Sequence, residues 1–184
     1  MSYKEAIEEF NSEDENGKSR LVYAYFGLAI YFAQCLEQTF INMIWLDRVF
    51  KKRVKFQNEV NEIIDAVENS RKTMGALIHE VKTEYSLPGN LETDLKKLLD
   101  TRNYLAHKFF KEQIQKFETE LGQKEMLKYF CDFVDDSKGV DNELNNYYYH
   151  YTQKLGLTEE RIIELMEELK EEEIERVKTL SSKK

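Results

Sequence analysis

Apolar residues recur every three or four positions along most of this chain, the spacing of helices that bury one face. A long helix is predicted from about Arg20 to Val54, after a short amphipathic segment and the turn-like stretch NSEDENGKS. Phe56, Val60, Ile63, Ile64 and Val67 predict a second helix over 56–70. Thr73 is suited to cap a third, MGALIHEVKTEY, which SLPGN then breaks. In the next segment Leu91, Leu95, Leu98, Leu105 and Phe109 form one stripe. Past Phe110 the helical pattern runs as KEQIQKFETEL, pauses at Gly122 and resumes as QKEMLKYFCDFVDD. SKGVDN reads as a turn before ELNNYYYHYTQKLG, and Thr158 opens an acidic last helix with glutamates in its first turn, where the helix dipole favours them. About seven helices result, so the expected fold is all-α. No repeat or long linker divides the pattern. One domain over 1–184 is expected, with 1–19 and 158–184 as peripheral helical extensions.

Composition sharpens this picture in three places. A single proline and seven glycines leave little of the punctuation a many-stranded sheet needs. A net charge of −8 excludes the broad basic surface that dominates DNA affinity, so nucleic-acid chemistry would have to be local. Cys35 and Cys131 sit in apolar helical contexts without metal or redox spacing, which predicts free core thiols and a reducing cytoplasm. The beginning of the sequence has no apolar signal core. The uncharged run from Leu21 to Leu36 is only 16 residues long and contains Gln34, so a central helix or an oligomer interface is expected rather than a membrane span.

The leucine stripe is broken at one height. Arg102 stands between Leu98 and Leu105, and the adjoining row Leu99, Asn103, Ala106, Phe110 is interrupted by Asn103. A guanidinium on a buried helix face is costly unless it is paired, so folding alone does not favour it. Asn103 and His107 are neighbours four apart on one face, and Asp100 lies within about 20° of His107 in projection. Arg102 projects about 140° from His107, so a straight helix does not make the two converge. A distorted helix, a curled arginine side chain or a second copy of the chain could each bring them together.

Arg102-Asn103-Tyr104-Leu105-Ala106-His107 resembles the signature of HEPN-superfamily ribonucleases, an Arg, four to six residues, then His, with a polar residue directly after the Arg. The text from TMGALIHEV through LETDLKKLLDTRNYLAHKFF is similar to bacterial members of that superfamily; elsewhere only length and helical pattern fit. The resemblance implies an up-and-down bundle of four or five helices that dimerises so that two motifs face each other in a cleft. It also implies metal-independent RNA cleavage, of the sort used by toxins and anti-phage systems. His107 would then serve as acid or base near neutrality, and Arg102 would meet the charge developing on phosphorus. Asn103 would hold the imidazole or a phosphate oxygen, with Asp100 and Tyr104 in support. An antitoxin, or a nucleotidyltransferase that modifies a tyrosine two residues after the histidine, are the implied partners besides RNA and a second copy. This chain has Phe109 at that position, which puts modification there in doubt.

Other candidates are weaker. Arg48, Lys51, Lys52, Arg53 and Lys55 form the one dense basic cluster, to be read either as cations at a helix C-terminus or as RNA steering. Lys108 and Lys111 flank the motif as further RNA-binding candidates. His79-Glu80 lacks the second histidine of a zinc-protease helix, since Thr83 stands there. Tyr147-Tyr148-Tyr149-His150-Tyr151 offers aromatic faces for base stacking, with Lys154 as the nearby cation, or plain packing. No phosphate loop and no metal-ligand set is found, so neither a cofactor nor a metal is expected. The competing expectation is a helical interaction module that keeps the fold without catalysis.

Overall fold

The computed structural model describes residues 2–181, so the outermost ends of both expected extensions lie outside the described residues. These form eight helices and no strand: α1 (Tyr3–Ser12), α2 (Glu15–Lys52), α3 (Gln57–Glu68), α4 (Met74–Tyr85), α5 (Gly89–His107), α6 (Phe109–Phe117), α7 (Glu120–Lys154) and α8 (Glu159–Ser181). The chain is an all-α helical bundle. It divides into one compact unit up to Asn145 and a second from Asn146, with α7 continuing from one into the other.

In the first unit the core is an up-down-up arrangement of α2, α5 and α7. Lys18 pairs with Glu120 at 2.5 Å, and the Thr39 hydroxyl donates to Asp141 at 2.6 Å, so α2 and α7 run in the same direction. Lys97 meets Asp136 at 2.6 Å while Tyr104 meets the ring of Tyr129, so α5 runs against α7. Leu36, Phe40, Met43, Leu91, Leu95, Leu98, Leu127 and Phe130 fill the space between them and are at most 2% exposed. Helices α1, α3 and α4 pack on the outside of α2. The N-terminal segment contributes to the core, since Ala6 and Phe10 of α1 are fully buried.

The second unit contains the end of α7 and α8. No residue of α8 is buried, and none of the Tyr147 to Tyr151 cluster is either.

Several expected boundaries move. NSEDENGKS is not a turn beyond Glu13 and Asp14, because the Asp14 carboxylate accepts from the Gly17 N–H at 2.7 Å and caps α2 from Glu15 onwards. At its other end α2 stops at Lys52, with Arg53 in the left-handed conformation. The pause expected at Gly122 comes earlier, at Glu118 and Thr119 between α6 and α7, while the turn expected at SKGVDN is absent and α7 runs unbroken from Glu120. Gly122 serves close approach instead: a Cβ there would stand 2.1 Å from the Lys116 carbonyl oxygen. Through SKGVDN the stripe Phe130, Val134, Ser137, Val140, Leu144 stays buried, and the Ser137 hydroxyl bonds back to the Phe133 carbonyl at 2.7 Å. One further break was not expected. It falls at Lys108, whose φ and ψ of −132° and −26° separate α5 from α6 and bring the helix count to eight among the described residues.

Candidate functional site

That bend is made by two adjacent phenylalanines. Phe109 is 3% exposed and lies within ring contact of Tyr104, Tyr129 and Phe130, at 5.7, 5.4 and 4.9 Å between centroids. Phe110 packs on Phe26 at 4.9 Å and Tyr23 at 5.6 Å, and Phe109 also stacks on Phe26 at 6.5 Å. A straight helix would set these neighbours about 100° apart. The single non-helical residue seats both in one aromatic cluster with α2 and α7, Phe109 buried and Phe110 half-buried. His107 is therefore the last residue of α5, and the motif ends at a helix terminus.

The leucines of the motif helix are buried as expected, but Arg102 is not sealed among them. Its side chain keeps 30% of its surface open. One guanidinium nitrogen lies 3.7 Å from the Glu37 carboxylate on α2, and the other donates to Asn103 Oδ1 at 3.2 Å. The cost of placing the cation is thus met within the chain, by a carboxylate and by water. Glu37 is the residue that sequence reasoning missed. Its signal was faint: it is the first charge after the long apolar run of α2, but nothing along the sequence pairs it with Arg102.

Asp100, Asn103, Ala106 and His107 are all exposed, so the row through Asn103 is an open face rather than a second core stripe. Arg102 and His107 are not drawn together by any distortion within α5, which stays helical through His107. Tyr104 faces the opposite seam, where its hydroxyl accepts from Gln113 at 2.8 Å. It borders a small cleft of about 220 Å³ with Phe109, Lys116, Glu125 and Tyr129.

Helix α2 runs antiparallel beside the motif, since Glu37 meets Arg102 at one end and Tyr23 meets Phe110 and Phe117 at the other. Along this length α2 exposes Tyr23, Ala24, Gly27, Tyr31 and Gln34. Tyr23 and Tyr31 leave 55% and 57% of their surfaces open, and a side chain built on Gly27 would meet nothing. The polar motif and an aromatic, small-residue strip therefore share one uncovered side of the unit.

Two of the five members of the basic cluster are paired. Arg48 donates to Glu80 at 2.6 Å, Lys51 lies 3.0 Å from Asp47 and also bonds Glu84, and Lys72 bonds the second oxygen of Glu80. Arg48 and Lys51 thus tie α2 to α4. Burial alone would raise the Glu80 pKa, but the hydrogen bonds from Lys72 and Arg48 outweigh it and hold the carboxyl below its usual value. Lys52, Arg53 and Lys55 remain exposed beside Glu59 and Glu62. Lys108 and Lys111, next to the motif, are exposed as well.

Both cysteines are free thiols. Burial pushes the Cys131 thiol up to about 11, with Asp135 and Asp132 adding to the effect, which leaves it without nucleophilic character near neutrality. Among the described residues no group of histidine, cysteine and carboxylate side chains is placed to hold a metal ion, and no helix is long and apolar enough to cross a membrane. In comparison with family models, curated proteins and solved structures, the chain has no significant match.

Proposed function

We propose that this chain is a metal-independent endoribonuclease of HEPN type, acting in the cytoplasm as a homodimer in a toxin or anti-phage system. The observation that carries the reading is the open side of the first unit, where Arg102, Asn103 and His107 stand beside Tyr23, Gly27 and Tyr31. Solvent and a substrate phosphate can reach the polar groups, and a second copy can cover the aromatic strip. In the dimer, the Arg102 of one protomer and the His107 of its partner supply what a single helix keeps apart. The 2′-hydroxyl of RNA attacks the adjacent phosphorus while one His107 takes its proton. The pentacoordinate phosphorane, or its transition state, spreads negative charge onto oxygens that the Arg102 fork can bind in pairs. A histidine then gives a proton to the departing 5′-oxygen, leaving a cyclic phosphate. The need for a 2′-hydroxyl excludes DNA as substrate. Phe109 has no hydroxyl to accept a nucleotide, so a regulating partner acts elsewhere on the molecule.

The test is cleavage of single-stranded RNA in the presence of a chelator, with size-exclusion chromatography alongside. His107→Ala and Arg102→Ala are each expected to lower the rate by about 10² or more with the dimer intact. Undiminished cleavage by both variants removes the nuclease reading.

The Arg102–Glu37 pair favours a second reading, a non-catalytic interaction module in which the arginine ties α5 to α2. The wild type then cuts no RNA, and Arg102→Ala loses its fold or its dimer. Glu37→Gln separates the two. It releases the guanidinium and preserves cleavage if Arg102 is catalytic, and it weakens the fold as Arg102→Ala does if the pair is structural.

A further inference from the structure

Between α4 and α5 lies an open cleft of about 490 Å³, lined by His79 and Lys82 on one side and Glu92, Lys96 and Leu99 on the other. Lys82 is tied to Glu92 at 2.7 Å, while the Lys96 ammonium has no ion pair among the described residues. In a chain of net charge −8 this is a local reversal of sign, two lysines and an imidazole against one carboxylate. Its position on α5 matters more than its charge. Asn103 and His107 each fall within about 20° of Lys96 around the helix, on either side of it, and Lys96 stands about 10 Å from Asn103 and about 16 Å from His107 along the axis. Leu99 joins the two places, since it lines the cleft and is one turn before Asn103. Asp100 borders the other edge of this track and turns a polyanion toward the Leu99 and Asn103 side.

We propose that the α4–α5 cleft is a backbone subsite for single-stranded RNA, holding a phosphate a few nucleotides from the one cut at His107. The assignment rests on the nuclease reading for its substrate, and on the cleft for its place. Lys96 supplies the principal charge, His79 a second donor. Contact with phosphate rather than base edges makes the subsite blind to sequence and sensitive to salt.

Binding of a fluorescein-labelled 2′-O-methyl RNA, which cannot be cut by 2′-hydroxyl attack, measures the subsite without turnover. Lys96→Glu is expected to weaken binding about tenfold and to lower the salt slope by about one, with Lys96→Gln and His79→Ala smaller in the same order. Lys170→Glu on α8 is the charge-matched control and leaves binding unchanged. Cleavage of a dinucleotide too short to reach the cleft is expected to be equal in Lys96→Glu and wild type. If Lys96→Glu binds the long RNA as the wild type does, the subsite is refuted even where RNA is still cut. A wild type that binds RNA, loses it on Lys96→Glu and yet cleaves none supports the subsite and removes the nuclease reading instead. A mononucleotide that distinguishes Lys96→Glu from wild type as strongly as the strand does identifies a free nucleotide as the ligand and overturns the strand assignment.

Discussion

In α5 the side chains of Leu91 and Leu95 are fully buried and Leu98 is 2% exposed, while in α8 Met166 and Leu169 leave 66% and 64% of their surfaces open. Both helices repeat apolar residues at three- and four-residue intervals, and both surround the stripe with charge. What differs is whether anything covers the stripe. In α5, packed against α2 and facing α7, each position on the inner face is fixed by neighbours, so a polar residue there needs a partner: Arg102 has Glu37 and Asn103. In α8 Glu173 can stand in the apolar row at no such cost, paired with Arg176 at 2.6 Å with both side chains more than half exposed. The charge run of α8 is a solvated face, as its composition suggests, with Arg161 bridging Glu164 and Glu168. A polar interruption carries functional information only where the rest of the face is covered.

The largest effect that separates the helices is on stability. Leu95→Ala removes a fully buried side chain from the α2–α5–α7 core and is expected to cost about 2–5 kcal/mol, read from urea unfolding. A cost below about 0.5 kcal/mol would place α5 in the same class as α8 and dissolve the contrast.

A smaller effect belongs to the cross-ties that hold α4 against α2. Glu80→Gln leaves Arg48 and Lys72 without their shared carboxylate, and both cations are about a third exposed, so the loss is discounted to about 1 kcal/mol. The same group sets a pH dependence. Because its folded pKa is depressed, Glu80 contributes stability above its unfolded value near 4.5 and loses it as pH falls through the folded value. Wild type and Glu80→Gln should therefore converge in unfolding free energy on acidification below about pH 4.5. A gap that stays constant down to strong acid excludes the ion-pair account.

How far these features were legible follows from what periodicity can and cannot carry. Leu91, Leu95, Leu98 and Phe109 were readable as one buried stripe because a helix has a fixed pitch. The same logic, applied across SKGVDN, would have kept α7 whole, since Val134, Ser137, Val140 and Leu144 hold the spacing; a glycine among polar residues was given more weight than the stripe it interrupts. The bend at Lys108 was less accessible, because it depends on Phe109 and Phe110 packing with rings of α2 and α7 that are distant in sequence. The Glu37–Arg102 pair and the α4–α5 cleft are tertiary facts with no local signature. Within the motif, sequence identified Arg102, Asn103 and His107 as the polar members of an apolar helix, but it misjudged the exposure of the row through Asn103 and Ala106. Burial on that side depends on what lies next to α5, and there α2 presents its own small, open face.

The smallest expected effect is in α8, and it is the sharpest check on the comparison. Leu169→Ala removes a large apolar side chain that no described residue of its own unit covers, so the transfer and cavity terms that make Leu95→Ala costly are both nearly absent. Helix propensity slightly favours alanine, and the net change should fall within about 0.5 kcal/mol of zero. A loss comparable to that of Leu95→Ala, measured at the same protein concentration, would mean that α8 is covered in solution by something beyond its own unit. If that loss shrank on dilution, the cover would be a second copy, because only an association equilibrium ties apparent stability to protomer concentration.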